Sequence, residues 1–198
     1  MSKGDETRQA ILDEASQLAS QAGFAGLTIG RLATHTGMSK SGLYAHFDSK
    51  QALQVDVLDH ARRRFIDAVV RPALSAPRGL TRLRALFEAW IDWSENSAPG
   101  GCLFVAASSE LDDQPGPARD ALVRAELDWL ETIATVASTA VSEGELRGDV
   151  EPEQLAYEVH ALMLSHQHSS RLLRDPRALE RVRRAFDSLL AAASSPAR

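Results

Sequence analysis

The sequence lacks the paired cysteines, the long apolar runs and the secretory signal that mark disulfide-bonded, membrane and secreted proteins. It holds one cysteine, Cys102, in 198 residues, so no disulfide can form within the chain. Its longest apolar runs, such as residues 103–107 and 189–193, fall far short of the ~20 residues that span a bilayer. The polar start, residues 2–6, lacks the charged-then-apolar order of a secretory signal. We therefore expect a cytoplasmic protein that is not embedded in a membrane.

Positive charge is also scarce. The 22 Lys and Arg residues are outnumbered by 27 Asp and Glu, which gives a net charge of −5. Affinity for phosphates normally comes from clustered basic residues. Residues 1–50 hold five basic and five acidic groups, so the whole deficit lies beyond residue 50. The sequence thus consists of a neutral amino-terminal module and an acidic remainder.

Apolar residues recur at helical spacing along the chain and mark three short helices near its start. One ends at Gly23, where a helix C-terminus favours a residue that adopts positive φ. The second has Thr28 as its N-cap, and the third has Ser39 as its N-cap and runs to about Phe47. A glycine turn at Gly37 precedes the third helix. Three short helices joined in this way are typical of a helix-turn-helix.

The remaining sequence predicts a fourth helix to Arg71 and five more beyond it. Proline and glycine segments separate them, and the last two begin near Pro152 and Pro176. No alternating apolar run bounded by turn residues indicates a strand. We therefore predict an all-α chain of about nine helices, with a helix-turn-helix domain over residues 1–50 and a helical body over residues 51–198.

The third helix has an outward face made of small residues. With Leu43 and Phe47 turned inward, the 100° step per residue places Ser41 and Ala45 outside. Small groups permit a close approach to base edges in the major groove, and Lys40 adds a cation in the first turn. Donors that can reach phosphates are Thr28, Tyr44, His46 and Lys50. The alternative is that the lysines are solvated surface charges and Tyr44 is a surface aromatic.

Residues 27–50, LTIGRLATHTGMSKSGLYAHFDSK, closely resemble the DNA-binding signature of the TetR family. The resemblance covers about residues 8–55. It implies an all-helical, two-domain homodimer that represses transcription and leaves double-stranded DNA when a small molecule binds. The residues that it places on a near-palindromic operator are Thr28, Tyr44, His46 and Lys50 at phosphates, and Ser39, Lys40, Ser41 and Gly42 at the groove. Gly30 departs from the pattern, and a glycine inside a helix costs up to ~1 kcal/mol.

The body resembles the family less strongly. Residues 100–107, followed by Glu110, look like one subgroup of TetR ligand-binding domains. The resemblance implies a ligand-binding and dimerisation domain over residues 51–198. Large aromatics can line an apolar ligand cavity, although such residues are more often simply core. The candidates are Trp90, Trp93, Phe104 and Trp129. The acidic excess disfavours anionic ligands, so we expect a neutral or cationic effector, which the sequence does not identify.

The last two helices are apolar on more than one face. The first of them has two apolar stripes, one with Leu155, Val159, Leu162 and Met163 and the other with Tyr157, Ala161 and Leu164. The second is lined by Leu179, Val182, Phe186, Leu189, Leu190 and Ala193. A helix that is apolar on two sides is buried on two sides. In a monomer this indicates a central core helix, and in the TetR family it indicates a four-helix dimer interface. We expect the homodimer.

Other chemistry has little support in the sequence. His160, His166 and His168 share a helix without the i, i+4 spacing of a metal pair, so we predict no metal and no cofactor. Cys102 is either a redox sensor or a buried inert thiol. The second hypothesis for the function is an enzyme, but no glycine-rich phosphate loop or nucleophile elbow supports it. A third is a DNA-binding protein that takes no ligand.

Overall fold

The computed structural model describes residues 3–195, which form helices and connecting turns. The helices are, in chain order, α1 (Lys3–Gly26), α2 (Ile29–Thr36), α3 (Lys40–Tyr44), α4 (Lys50–Phe65), α5 (Arg71–Leu74), α6 (Leu80–Asn96), α7 (Leu103–Leu111), α8 (Pro117–Ser142), α9 (Pro152–Gln167) and α10 (Ala178–Ala193). A π-helical segment, Ile66–Val70, joins α4 to α5, and a second, His168–Leu172, extends α9. Counted as continuous stretches, the described part of the chain has nine helices.

The all-α prediction is therefore confirmed. Within residues 3–195 there is no β-strand, and the only β-type pairing that we find there is an isolated antiparallel bridge between Leu146 and Ser194. No helix in this range is both long and apolar enough to cross a bilayer.

The chain divides into two compact units. The first runs through α4 to Phe65 and adds Glu95–Ala125, and the second consists of Ile66–Ser94 and the chain from Glu126 onward. This division by contacts differs from the functional division that the sequence predicts at residue 50, because α4, α7 and the start of α8 belong to the first unit. The functional division itself stays a prediction.

The predicted caps position α2 and α3 within the first unit. The Thr28 hydroxyl accepts a hydrogen bond from the backbone N–H of Arg31 at 3.2 Å, which satisfies a donor that the helix itself cannot pair. Gly37 ends α2 with a φ of 70°. In α1 the backbone leaves helical geometry at Gly23, with a φ of 74°, and α1 resumes for one turn. The kink falls where the sequence predicted the end of the helix.

The third helix is shorter than predicted. It ends at Tyr44 rather than near Phe47 because the backbone leaves the regular α-helical hydrogen-bond pattern there. The N–H groups of His46 and Phe47 both donate to the Leu43 carbonyl, at 2.9 and 3.0 Å. Leu43 and Phe47 are nonetheless buried, as the periodicity predicted.

Helix α7 joins the first unit through two contacts with α1. The backbone at Gly100, in the turn before α7, lies so close to the Ser20 carbonyl that a side chain there has no room. At the far end of α7, a Glu110 carboxylate oxygen accepts a hydrogen bond from the Ala25 N–H at 3.0 Å. These contacts join residues about eighty positions apart in the sequence.

The second unit has its own aromatic core. The rings of Phe87 in α6 and Phe186 in α10 stack with their centroids 3.9 Å apart and 5° between their planes. An ion pair of Arg183 with Glu88, 2.6 Å between nitrogen and oxygen, lies between the same two helices. Glu145 accepts a hydrogen bond from the Leu80 N–H at 2.7 Å and so caps the start of α6.

Most of the predicted dimer residues lie in the core of the single chain. Four of the six are buried: Leu155, Val159, Val182 and Phe186. The other two, Leu162 and Leu189, are half-buried. The exposed stripe of α9 is the second one that the sequence marked, at Tyr157, Ala161 and Leu164. The dimer interface itself stays a prediction.

Candidate nucleic-acid interface

Helices α2 and α3 present a compact face of short and polar side chains. Leu43 holds α3 against the core and is fully buried. On the other side Lys40, Ser41 and Ala45 are exposed, and 54% of Tyr44 is exposed. A face of this composition can approach the edges of base pairs without steric obstruction.

Two of the predicted contact residues also cap helices. The Ser39 hydroxyl accepts a hydrogen bond from the Gly42 N–H at 3.0 Å and lies 3.1 Å from the Ser41 hydroxyl. Thr28 caps α2 in the same manner through its oxygen. Because the oxygen of Thr28 accepts this bond, its O–H remains a donor for a phosphate.

The segment after α3 is held by a residue that the sequence did not indicate. The guanidinium of Arg8 in α1 lies 5.4 Å from the centroid of the Phe47 ring and pairs with Asp56 of α4 at 2.6 Å. The His46 ring lies 6.3 Å from the same phenyl ring. Arg8 thus holds the segment that follows α3 between α1 and α4, and only the tertiary contact reveals this role.

Lys50 is engaged within the first unit. Its ammonium donates a hydrogen bond to the Ala25 carbonyl at 3.3 Å, and both residues border a cavity of about 270 Å³ together with Glu110. This contact ties the first residue of α4 to the last turn of α1. The structure therefore gives Lys50 a structural role in addition to the predicted contact with phosphate.

A broad groove of about 600 Å³ runs beside the start of α2. Its lining includes two basic side chains and no carboxylate: Leu18, Thr28, Gly30, Arg31, Thr34, His35 and Lys40. We call this feature the cation groove. A concave surface that carries cations and hydroxyl groups attracts phosphate. Arg31 was not among the predicted contacts, although its position three residues after the N-cap of an exposed helix start was a usable signal.

The four candidate ligand residues are buried but divided between the two units. Trp90, Trp93 and Trp129 lie in the core of the second unit, where the His166 ring meets Trp90 edge-on at 6.3 Å. Phe104 belongs to the first unit and packs against Phe65 with a ring separation of 5.9 Å.

Comparison with known families now identifies the chain. A model described as "Bacterial regulatory proteins, tetR family" matches residues 11–57, and one described as "Tetracyclin repressor-like, C-terminal domain" matches residues 79–186. The chain belongs to the TetR family. TetR-family proteins are DNA-binding transcriptional regulators and not enzymes, so the helix-turn-helix is the functional module that the sequence predicted.

Individual TetR-family proteins resemble the chain to different extents. The transcriptional activator FasR of Mycolicibacterium smegmatis is 35% identical over 100 residues, which are 48% of this chain and 44% of FasR, so the match spans less than half of that relative. The transcriptional repressor DhaR of a Mycobacterium species is 26% identical over 152 residues, 75% of this chain and 74% of DhaR. A TetR regulator structure from Chloroflexus aurantiacus has a TM-score of 0.85, 26% identity and 96% coverage of both chains.

Proposed function

We propose that this regulator is a homodimeric repressor that binds a near-palindromic operator and leaves it when a small, largely apolar molecule binds. The observation that carries the DNA-binding part is the cation groove beside the short-side-chain face of α3. Repression is favoured over activation because the match to the repressor DhaR extends over 75% of this chain, whereas the match to the activator FasR extends over 48%.

The DNA contacts that we propose follow the two helices. At the major groove they are Ser39, Lys40, Ser41 and Gly42, and at phosphates they are Thr28, Tyr44, His46 and Lys50. In this arrangement the base edges contact the face of α3 that carries short side chains. Hydroxyl, imidazole and ammonium groups bind the phosphates of the DNA backbone on either side. Lys50 would exchange its bond to the Ala25 carbonyl for one to a phosphate oxygen.

The homodimer that we propose pairs the outer faces of α9 and α10. Tyr157 is 67% exposed and Leu164 is 38% exposed, and Ala161 lies between them on the same stripe of α9. On α10 the outer face carries the small residues Ser188 and Ala192, which allow a second helix to approach closely. A two-fold axis through such a four-helix interface would place two recognition helices about one turn of DNA, ~34–36 Å, apart.

The effector that we propose binds in the second unit near the three tryptophans. Their buried rings offer apolar contact area, and the acidic excess beyond residue 50 favours a neutral or cationic molecule. Such a ligand releases DNA if it binds more tightly to a conformation whose recognition helices are wrongly spaced.

A binding titration tests the DNA-binding part of the proposal. A duplex recovered by the wild-type protein from a random-sequence pool is titrated against the wild type, Lys40→Ala and Tyr44→Phe, over a range of salt concentrations. We expect steep salt dependence for the wild type and weaker binding for both variants. Lys40→Ala removes a cation from the negatively charged interface, and Tyr44→Phe removes a hydroxyl that would donate to a phosphate. Arg71→Ala is the control, since Arg71 is an exposed cation of the second unit that pairs only with Asp67 among the contacts found. Equal affinities of Lys40→Ala and wild type, both folded by circular dichroism, would overturn the assignment.

A further inference from the structure

The cavity beside Lys50 has a lining unlike the tryptophan-rich core of the second unit. It lies entirely within the first unit and measures about 270 Å³, which is slightly less than the about 300–1,000 Å³ of sites for drug-sized ligands. Five of its seven lining residues have polar side chains, and we call the cavity that they form the polar pocket: Lys50, Gln51, Gln54, Glu110 and Gln114. A pocket of this size and composition is suited to a small polar molecule.

Two opposite charges are anchored to one residue at the polar pocket. The Ala25 carbonyl accepts a hydrogen bond from the Lys50 ammonium at 3.3 Å, and the Ala25 N–H donates one to a Glu110 carboxylate oxygen at 3.0 Å. A group that attracts anions and a group that attracts cations therefore lie beside the same stretch of backbone. A ligand that carries both charges can pair with both groups at once.

Backbone carbonyls orient two of the carboxamides. Gln54 donates from Nε2 to the Phe24 carbonyl at 2.9 Å, and Gln114 donates from Nε2 to the Glu110 carbonyl at 2.7 Å. A carboxamide has two donor hydrogens and an acceptor oxygen, so each side chain keeps hydrogen-bonding capacity beyond these bonds. Gln54 and Glu110 are half-buried, and the other polar residues of the lining are exposed. The polar pocket thus holds pre-oriented polar groups and is open to solvent.

We propose that the polar pocket binds a free α-amino acid with a short polar side chain. Such a molecule carries both a carboxylate and an ammonium group at neutral pH. Its carboxylate pairs with Lys50 and its ammonium with Glu110, while its side chain bonds to the carboxamides of Gln54 and Gln114. A molecule with only one of the two charges loses one charge-assisted hydrogen bond and binds more weakly.

The amino acid opposes DNA binding through Lys50. The proposed function places the Lys50 ammonium on a phosphate, and the carboxylate of the amino acid takes the same ammonium. This consequence rests on the proposed function, whereas the binding of the amino acid does not. The amino acid is then a second effector, which acts within the first unit and is independent of the apolar molecule proposed for the second.

Calorimetric titration of the DNA-free protein tests the polar pocket. L-Glutamine and L-asparagine are the probes. N-acetyl-L-glutamine, which lacks the ammonium, and L-glutaminamide, which lacks the carboxylate, are matched controls. We expect each control to bind the wild type about 10- to 100-fold more weakly than L-glutamine, because each lacks one charged partner. Absence of binding by both amino acids at millimolar concentration would overturn the proposal.

Variants with neutral side chains test which residue holds which charge. Glu110→Gln keeps an oxygen for the Ala25 N–H but removes the negative charge, so this variant no longer distinguishes L-glutamine from N-acetyl-L-glutamine. Lys50→Gln in turn no longer distinguishes L-glutamine from L-glutaminamide. Glu153→Gln changes an exposed carboxylate of the second unit and binds all three compounds like the wild type. If Glu110→Gln and Lys50→Gln are folded by circular dichroism and discriminate as the wild type does, the assignment is wrong.

Competition with DNA separates this inference from the proposed function. At about ten times its Kd, a ligand that excludes DNA raises the apparent Kd of the selected duplex about 11-fold. We expect this shift with L-glutamine and not with N-acetyl-L-glutamine at the same concentration. An unchanged Kd with L-glutamine bound would overturn the opposition between the amino acid and DNA. If the wild type recovers no duplex, the proposed function fails, and calorimetry on the DNA-free protein still decides whether the polar pocket binds an amino acid.

Discussion

At the scale of single residues, role depends on which face of a helix a side chain occupies. Phe186 and Tyr157 are both aromatic. Phe186 lies on α10 and Tyr157 lies on α9, the two helices that the sequence marked as apolar on more than one side. Phe186 is 3% exposed and stacks on Phe87, whereas Tyr157 is 67% exposed. Periodicity finds both faces, but it does not tell which one a single chain buries, because that depends on helices far away in the sequence.

Phe186→Ala tests the core assignment. Removing the ring loses its transfer free energy and leaves a cavity beside Phe87, so we expect the free energy of unfolding to fall by about 3–5 kcal/mol. Leu172→Ala is the comparison, since Leu172 is 70% exposed and exposed substitutions usually change stability by at most ~0.5 kcal/mol. Chemical denaturation followed by circular dichroism measures both. Similar small losses for the two variants would contradict the packing described for Phe186.

At the scale of helices, the sequence predicted what local signals determine. The N-caps Thr28 and Ser39 and the kink at Gly23 depend on residues within a few positions, and they were found at the predicted places. The attachment of α7 to α1 was not predicted, because Glu110 bonds to a backbone group 85 positions away.

The prediction at the scale of helices concerns the outer face of α9. If its outer face pairs with a second copy of the chain, Tyr157→Glu places a charge where it loses water without gaining a partner, so the dimer should dissociate. Each folded monomer should then bind a palindromic duplex much more weakly, because one recognition helix is left per complex. Analytical ultracentrifugation at micromolar concentration measures the mass.

The matched control for this prediction is Leu74→Glu, because Leu74 is an exposed apolar residue, 45% accessible, on α5. This variant should sediment like the wild type. A wild-type protein that is itself a monomer at micromolar concentration would contradict the dimer, and a dimeric Tyr157→Glu protein would show that the interface lies on another face.

At the scale of the whole molecule, charge and aromatic content differ along the chain. Residues 1–50 are neutral in sum, all of the net charge of −5 lies beyond them, and the three tryptophans occur at positions 90, 93 and 129. A molecule arranged in this way can bind phosphate with one module and an apolar effector with another. Coupling between the two needs only that the effector prefers one conformation, and the coupling free energy cannot exceed the difference in effector binding free energy between the conformations.

Tryptophan fluorescence tests the proposed effector site, since every tryptophan of the chain lies in the second unit. A screen by thermal shift first finds ligands, because a compound at 100 times its Kd stabilises the folded state by about 2.7 kcal/mol. We expect neutral or cationic apolar compounds to raise the melting temperature, to change the fluorescence and to release the selected duplex. Single Trp→Phe variants at positions 90, 93 and 129 keep an aromatic ring while removing one indole, so each should change the fluorescence response and alter the Kd by a different amount.

Anionic analogues of the same shape are the control, and they should bind more weakly. A compound that releases DNA but leaves the fluorescence unchanged, with the same Kd in all three variants, would show that the effector binds elsewhere, and a protein that no compound stabilises would favour a regulator without a ligand.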